Sequence, residues 1–295
     1  MSDQITTARA VGFGKSVFHL AQQKGSKLRE FCMVKPVNGV KREYFDRLGS
    51  TTASIKSARH QATPLTDSQH SRRAVDLTDY HWADLVDHED NIRMLWDPKG
   101  PYQQAAMWAL GRAYDDEIID ALGGTALTGE DGSGSATLAS YESGAHVIAN
   151  GGTGLTVAKL RQAYRLFETA DVDTREGLVA VISPIAQDQL MQDVQVTSRD
   201  FTMNQVLADG TIDGKTFMGM RFVVSTRLDV ASDIRTCFVF APKLAVAVAE
   251  AQAPQSFIDR RPDVSQAWQV YVRMSMGGVR LQEQAVVSVD IDETA

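Results

Sequence analysis

The chain has 295 residues, 43% of them hydrophobic and 23% charged, an ordinary globular composition with enough apolar matter for one large core or two smaller ones. Cys32 and Cys237 are too few for a disulfide framework. The polar start "MSDQITTARAVGFGKS" lacks an apolar signal core and no apolar run reaches membrane-spanning length, so a cytosolic protein without thiol chemistry is expected. The net charge of −7 is unevenly spread. Residues 1–75 hold 13 basic side chains (six Lys, seven Arg) against five acidic ones, a local +8, and the remainder, 17 against 32, carries −15. Such a split points to a basic N-terminal arm that meets nucleic acid or the acidic body of a neighbouring copy, or else to a solvated basic surface.

In chain order, "KSVFHLAQQKGSKLREF" places Val17, Leu20, Ala21, Leu28 and Phe31 near helical spacing, interrupted by Gly25. A short amphipathic helix followed by extended chain is predicted. "VKREYFDRLGS" and "SRRAVDLTDYHWADL" read as strands. The polar stretch "TTASIKSARHQATPLTDSQH" between them gives a two-stranded ribbon with a mobile tip, which needs another surface to lie on. The next element is a helix over 101–122, between Gly100-Pro101 and Gly123-Gly124. Its apolar stripe is Met107, Leu110, Tyr114, Ile118, Ala121 and Leu122, and Asp115, Asp116, Glu117 and Asp120 lie largely off it. Gly111 sits inside this helix at a cost of about 1 kcal/mol relative to Ala. That cost implies close approach by another backbone or side chain, so Gly111→Leu should disrupt and Gly111→Ala should be mild.

"GGTALTGEDGSGSAT" reads as a flexible connector. "LTVAKLRQAYRLFETADV" is an amphipathic helix with Leu160, Ala163, Tyr164 and Phe167 on one face. "GLVAVIS" is a buried strand closed by Ser183 as N-cap and Pro184 in the first turn of "PIAQDQLMQDV". Strands dominate the remainder: "MGMRFVVSTRL", "RTCFVFAPKLAVAVAE", "AWQVYVRMSMG" and "VRLQEQAVVSVDID". In the last, Val287, Val289 and Ile291 should be buried and Ser288, Asp290 and Asp292 wet. The class is α+β with long antiparallel strands at the end and no internal repeat.

Chemistry-bearing motifs are weak. Gly14-Lys15-Ser16 imitates the end of a phosphate-binding loop, but Arg9 stands where the leading glycine belongs and no strand precedes it. "DYHWADLVDHEDNIRMLWD" gathers His81, His88, Asp84, Asp87, Glu89 and Asp90 without metal-ligand spacing. Residues 76–98, with seven acidic side chains against Arg93, form an acidic patch of −6 that faces water or a basic partner. Asp116 and Asp120 share a helical face, yet no histidine or second acidic helix is spaced to complete a metal site. No nucleophile elbow or reactive-cysteine motif occurs. The residues therefore imply no enzyme, no cofactor and no metal.

The order of parts, with "FHLAQQKGSKLREF", "DYHWADLVDHEDNIRMLWDPKGPYQQAAMWALGRAYDDEIIDAL" and "GKTFMGMRFVVSTRL", resembles the major capsid proteins of tailed bacteriophages with the Hong Kong 97-like fold. The resemblance implies an N-terminal arm over 1–45, an extended β-hairpin loop over 46–82 and a peripheral domain over 83–155 with the spine helix 101–122. An axial domain over 156–255 and return strands of the peripheral domain over 256–295 complete it. It further implies an icosahedral virion head assembled in the host bacterial cytoplasm from hexamers and pentamers. The expected partners are packaged double-stranded DNA bound without sequence specificity, a portal protein and a decoration protein. A scaffolding protein encoded separately is expected as well, because the chain starts almost directly with the arm. Some members crosslink through the extended loop, where Lys56 lies, but no residue pattern here supports a bond. In that family the arm and loop reach across neighbours. Candidate intersubunit contacts are therefore Arg42, Arg47, Lys56, Arg59, Arg72 and Arg73 on the basic side and Asp84, Asp87, Asp90, Asp115, Asp116 and Asp120 on the acidic side. A cellular encapsulin-like compartment and a nucleotide-binding enzyme built on Gly14-Lys15-Ser16 are the alternatives.

Overall fold

A computed structural model describes residue 19 and residues 21–63, 65–87, 99–192 and 211–295. The chain divides into two compact units, one drawn from Met1–Ser26, Asp79–Ala113 and Gln252–Ser275, the other from Lys27–Thr78, Tyr114–Ala251 and Met276–Ala295.

The larger unit is organised by a seven-stranded sheet. At its centre is β8 (Leu178–Ile182), a five-residue run of Leu, Val, Ala, Val and Ile in which every side chain is buried. Such uninterrupted apolarity suits a strand covered on both faces. β8 pairs in parallel with β10 (Met220–Val224) and antiparallel with β12 (Ile234–Phe240). β12 pairs antiparallel with β15 (Val286–Asp292), which takes β7 (Val147–Ile148) in parallel. β9 (Thr216–Phe217) and β11 (Val230–Ala231) pair with β10 and β12. Val287, Val289 and Ile291 are buried as the alternation requires. Ser288, expected to be wet, is buried too, and its amide donates to the His146 carbonyl, so the outer face of β15 is covered at that point.

Helix α2 (Val157–Thr169) lies on β15 and β7, burying Leu160, Ala163 and Phe167. Burial of one large apolar side chain of this kind contributes about 1.5–3 kcal/mol. Thr156 caps the helix by accepting from the Lys159 amide. α3 (Pro184–Gln192) begins as its sequence predicts, with the Ser183 hydroxyl accepting from the Ala186 amide at 3.0 Å. Helix α1 itself, Lys99–Gly123, matches the predicted 101–122 to within two residues.

The same unit holds a four-stranded sheet in the order β2-β3-β5-β6. The ribbon is β2 (Arg42–Leu48) against β3 (His70–Asp76), in register from Arg42↔Asp76 to Leu48↔His70. β3 continues onto β5 (Ala126–Thr128), which pairs with β6 (Gly134–Ala136). The expected flexible connector is thus a short hairpin. Its turn uses Gly129 and Gly132, both at positive φ, and the hairpin supplies the surface the ribbon required. Phe45 and Val75 of the ribbon pack with Val37, Ala126, Ala247, Ala249 and Val279 in one apolar cluster.

A third sheet runs β1-β13-β14-β4, formed by β1 (Met33–Pro36), β13 (Val246–Arg261), β14 (Ala267–Arg280) and β4 (Thr78–Val86). The sequence predicts one strand where β3 and β4 are two, separated at Leu77. The predicted helix of the arm is absent from residues 21–28, where the chain bends at Ala21, Gly25 and Lys27 before a single 3-10 turn at Arg29–Phe31. Gly25 adopts φ +81°, which no helix permits. The rest of that predicted helix, and Gly14-Lys15-Ser16, lie outside the described residues.

Candidate assembly surfaces

Alternation along the ribbon separates two sets of charges. One face carries Arg42 opposite Asp76, Tyr44 opposite Ala74 and Asp46 opposite Arg72. Arg42 grips Asp76 with two hydrogen bonds (Nε to Oδ1 2.6 Å, Nη2 to Oδ2 2.8 Å), and Arg72 donates from Nε to Asp46 at 2.6 Å while lying over the Tyr44 ring. These pairs are largely in water, where ion pairs add little stability but hold register.

The opposite face carries Arg73 and Arg47, which converge on Glu283. Arg73 donates from Nη2 to Glu283 Oε1. Arg47 donates from Nη1 to the Leu281 carbonyl and to Glu283 Oε2, and from Nε to the Ser71 hydroxyl at 3.1 Å. Arg73 and Glu283 are buried. Burial alone would push the Glu283 carboxyl up; the Arg73 guanidinium, aided by a backbone hydrogen bond and by Arg47, outweighs it and holds the group below its usual range. The paired strands, which form the base beneath the loop, are clamped to their own subunit by a buried carboxylate shared between two guanidiniums.

The ribbon's tip differs. Residues 49–63 and 65–69 form no helix or strand, and Ile55 and Leu65 are 91% and 98% exposed. Lys56 and Arg59 are exposed in the same stretch.

The arm is also anchored in its own subunit. The amides of Lys27 and Leu28 donate to the Asp115 carboxylate at 3.0–3.1 Å, Arg29 pairs with Glu250 at 2.8 Å, and β1 pairs in parallel with β13 from Met33↔Ala247 to Pro36↔Glu250. Within the smaller unit, arm residues lie along the first half of α1. His19 meets Trp108 edge to face with ring centroids 4.7 Å apart, and Arg112 donates from Nη1 to Gln22 at 2.9 Å and to the Gln23 carbonyl at 3.2 Å. A Cβ at Gly111 would stand 2.6 Å from Gly25 Cα and 2.9 Å from the Ser26 amide nitrogen. The close approach expected at Gly111 is therefore present, and it is backbone on backbone. Alanine does not fit without movement either, which corrects the expectation that Gly111→Ala is mild.

The acidic run of α1 is distributed rather than presented as one face. Asp115, expected off the apolar stripe, is 1% exposed and serves the arm. Asp116 pairs with Arg227 through both carboxylate oxygens, and Glu117 accepts from the Gly278 amide at 3.1 Å. Asp120 remains exposed. Its carboxyl is pushed up by partial burial and by Asp229, Glu117 and Asp116.

Of the candidate contacts, then, Arg42, Arg47, Arg72, Arg73, Asp115 and Asp116 have partners in their own chain. Lys56, Arg59, Asp84, Asp87 and Asp120 are exposed, and Asp90 lies outside the described residues. Sequence reasoning missed Arg280, which is 0% exposed and donates to the carbonyls of Leu122, Gly124 and Ala136 at 2.8–2.9 Å. It terminates α1 and ties it to the β5–β6 hairpin, satisfying carbonyls a helix end leaves open. No local pattern marks an arginine for that task.

Among the described residues no three His, Cys, Asp or Glu side chains are placed to hold a metal ion, and no helix is long and apolar enough to cross a membrane. Burial raises both thiols, Cys32 and Cys237, to about 12, so neither is a thiolate nucleophile near neutral pH. Two exposed surfaces stand out: the apolar, basic loop tip, and a groove of about 520 Å³ lined by Asp120, Asp229 and Asp290 over Ile119, Leu138 and Phe238.

No curated protein matches the sequence. Among solved structures, the fold is similar to the capsid of the cyanophage P-SCSP1u (TM-score 0.72, 16% identity, 97% of this chain and 93% of that one). It is also similar to the capsid of Ralstonia phage GP4 (0.70, 12%, 97% and 96%) and to that of cyanophage Pam1 (0.69, 13%, 98% and 97%). Residues 5–293 match the family model described as phage capsid protein. The expectation of a major capsid protein that forms a phage head is met, and the chain belongs to the phage capsid protein family.

Proposed function

We propose that this capsid subunit builds a closed icosahedral shell of hexamers and pentamers around double-stranded DNA, in the Hong Kong 97-like manner, and that its work is structural rather than enzymatic. The observation that carries the reading is the loop of residues 49–69, held out on a clamped ribbon with Ile55 and Leu65 almost wholly in water. Exposed isoleucine and leucine on a segment without regular structure are costly for a solitary globule and useful when neighbours supply the missing surface. Closed symmetry lets every copy provide to its neighbour what it lacks. A scaffolding protein, a portal, the packaged DNA and an optional decoration protein are the partners of this reading, with assembly in the host cytoplasm.

Electron microscopy of the expressed protein, with its phage's scaffold supplied, tests the reading. Closed particles of uniform size are expected. A protein that stays monomeric under those conditions overturns it.

A further inference from the structure

The groove lined by Asp120, Asp229 and Asp290 carries three carboxylates around an apolar floor of Ile119, Leu138 and Phe238. Asp290 accepts from the Thr236 hydroxyl at 2.8 Å, and Lys159 donates to its main-chain carbonyl at 2.9 Å, but among the described residues no Lys or Arg forms an ion pair with any of the three carboxylates. Arg227 is spent on Asp116. The groove therefore shows negative charge beside apolar surface. The chain carries the complementary pattern elsewhere, in "TTASIKSARH" (51–60), which holds Lys56 and Arg59, no acidic residue, and the exposed Ile55.

We propose that this groove is the seat of the loop tip of a second copy, with Ile55 on the apolar floor and Lys56 and Arg59 among Asp120, Asp229 and Asp290. The assignment rests on the shell reading above and specifies one contact within it. Two features that are each unfavourable alone, clustered carboxylates without an ion pair among the described residues and a bare isoleucine, become mutually satisfying when joined. Complementary charge of this kind fixes register and accelerates encounter.

A charge swap tests it on the full chain. Lys56→Glu with Arg59→Glu, or Asp120→Lys with Asp229→Lys, should each lower the yield of closed particles by about tenfold or more, since like charges would face one another. The four substitutions together should restore most of it. Independently, Ser57→Cys with Thr137→Cys should give disulfide-linked multimers in oxidised particles, the two native thiols being buried. Rescue with crosslinking is the expected result. Full yield from either reversed pair, or no rescue and no crosslink in a protein that otherwise forms particles, overturns the groove assignment and leaves the shell reading intact. An unmodified protein that forms no particles overturns both.

Discussion

The paired base of the ribbon and its loop tip use the same kinds of residue for opposite purposes. At the base, Arg47 and Arg73 are drawn in to a buried Glu283, and Phe45 and Val75 join the core. At the tip, Lys56 and Arg59 stand in water beside Ile55 and Leu65. The lesson is that a run of basic residues in sequence is not one functional patch. Strand alternation and pairing decide which charges belong to the fold, and what remains is the surface available to a neighbour.

The sharpest way to break this contrast is at the base. Glu283→Ala leaves Arg73 buried without its carboxylate, a loss expected to cost about 3–5 kcal/mol, seen as a lower urea midpoint of the subunit. An unchanged midpoint would mean that the base is no more anchored than the tip. Reversal of Arg73 to Glu would act the same way and report on folding rather than on assembly.

The arm offers a second anchored point. Gly111→Leu should destabilise the subunit strongly, and Gly111→Ala by about 1–3 kcal/mol less whatever alanine returns in helix propensity, roughly 1 kcal/mol. Gly100, around which a new Cβ would meet nothing within 4 Å, is the control, and Gly100→Ala should be tolerated. Thermal unfolding of the three variants distinguishes crowding from mere helix propensity.

Acid sharpens the picture further. Glu283 has its native pKa below the ordinary 4.5, so the unfolded chain takes up the proton first. Its contribution is complete above about pH 4.5 and is lost as pH falls through the lower native value. The stability difference between the unmodified protein and Glu283→Gln should accordingly shrink between pH 6 and pH 3 in urea titrations; a difference independent of pH would contradict the assignment.

The smallest effect on stability belongs to the tip. Lys56→Ala and Arg59→Ala should leave the subunit's unfolding midpoint unchanged while slowing assembly in light scattering. Added salt should slow the unmodified protein likewise, because exposed charges are screened beyond about 8 Å at physiological ionic strength. A shifted midpoint with normal assembly would reverse the roles given to the two ends.

Much of the fold was legible because the relevant signals are local. Pro101 and Gly123 mark the ends of α1 to within two residues, the apolar run 178–182 is a strand buried on both faces, and Ser183 caps α3. The polar stretch between two strand-like runs announced a ribbon. The arm's missing helix and the β5–β6 hairpin were not legible, since each depends on a distant partner: Asp115 collects the amides of Lys27 and Leu28, and Arg280 collects the carbonyls of Leu122, Gly124 and Ala136. The candidate contacts suffered most. Periodicity places Asp115 on a helix but not which side of the subunit that helix covers, and net charge counts Arg73 without knowing it is buried.

The parallel pairing of β1 with β13 also sets an order of events. Met33 through Pro36 find their partners at Ala247 through Glu250, a separation of more than two hundred residues, as in the pairs Arg29–Glu250, Arg47–Glu283 and Arg73–Glu283. Closure of so long a loop is entropically slow and cannot be nucleated locally. During synthesis the ribosome delivers the arm more than two hundred residues before its docking strand. The arm therefore waits without its β-partner until β13 has been made, and its seating follows the folding of the segments in between.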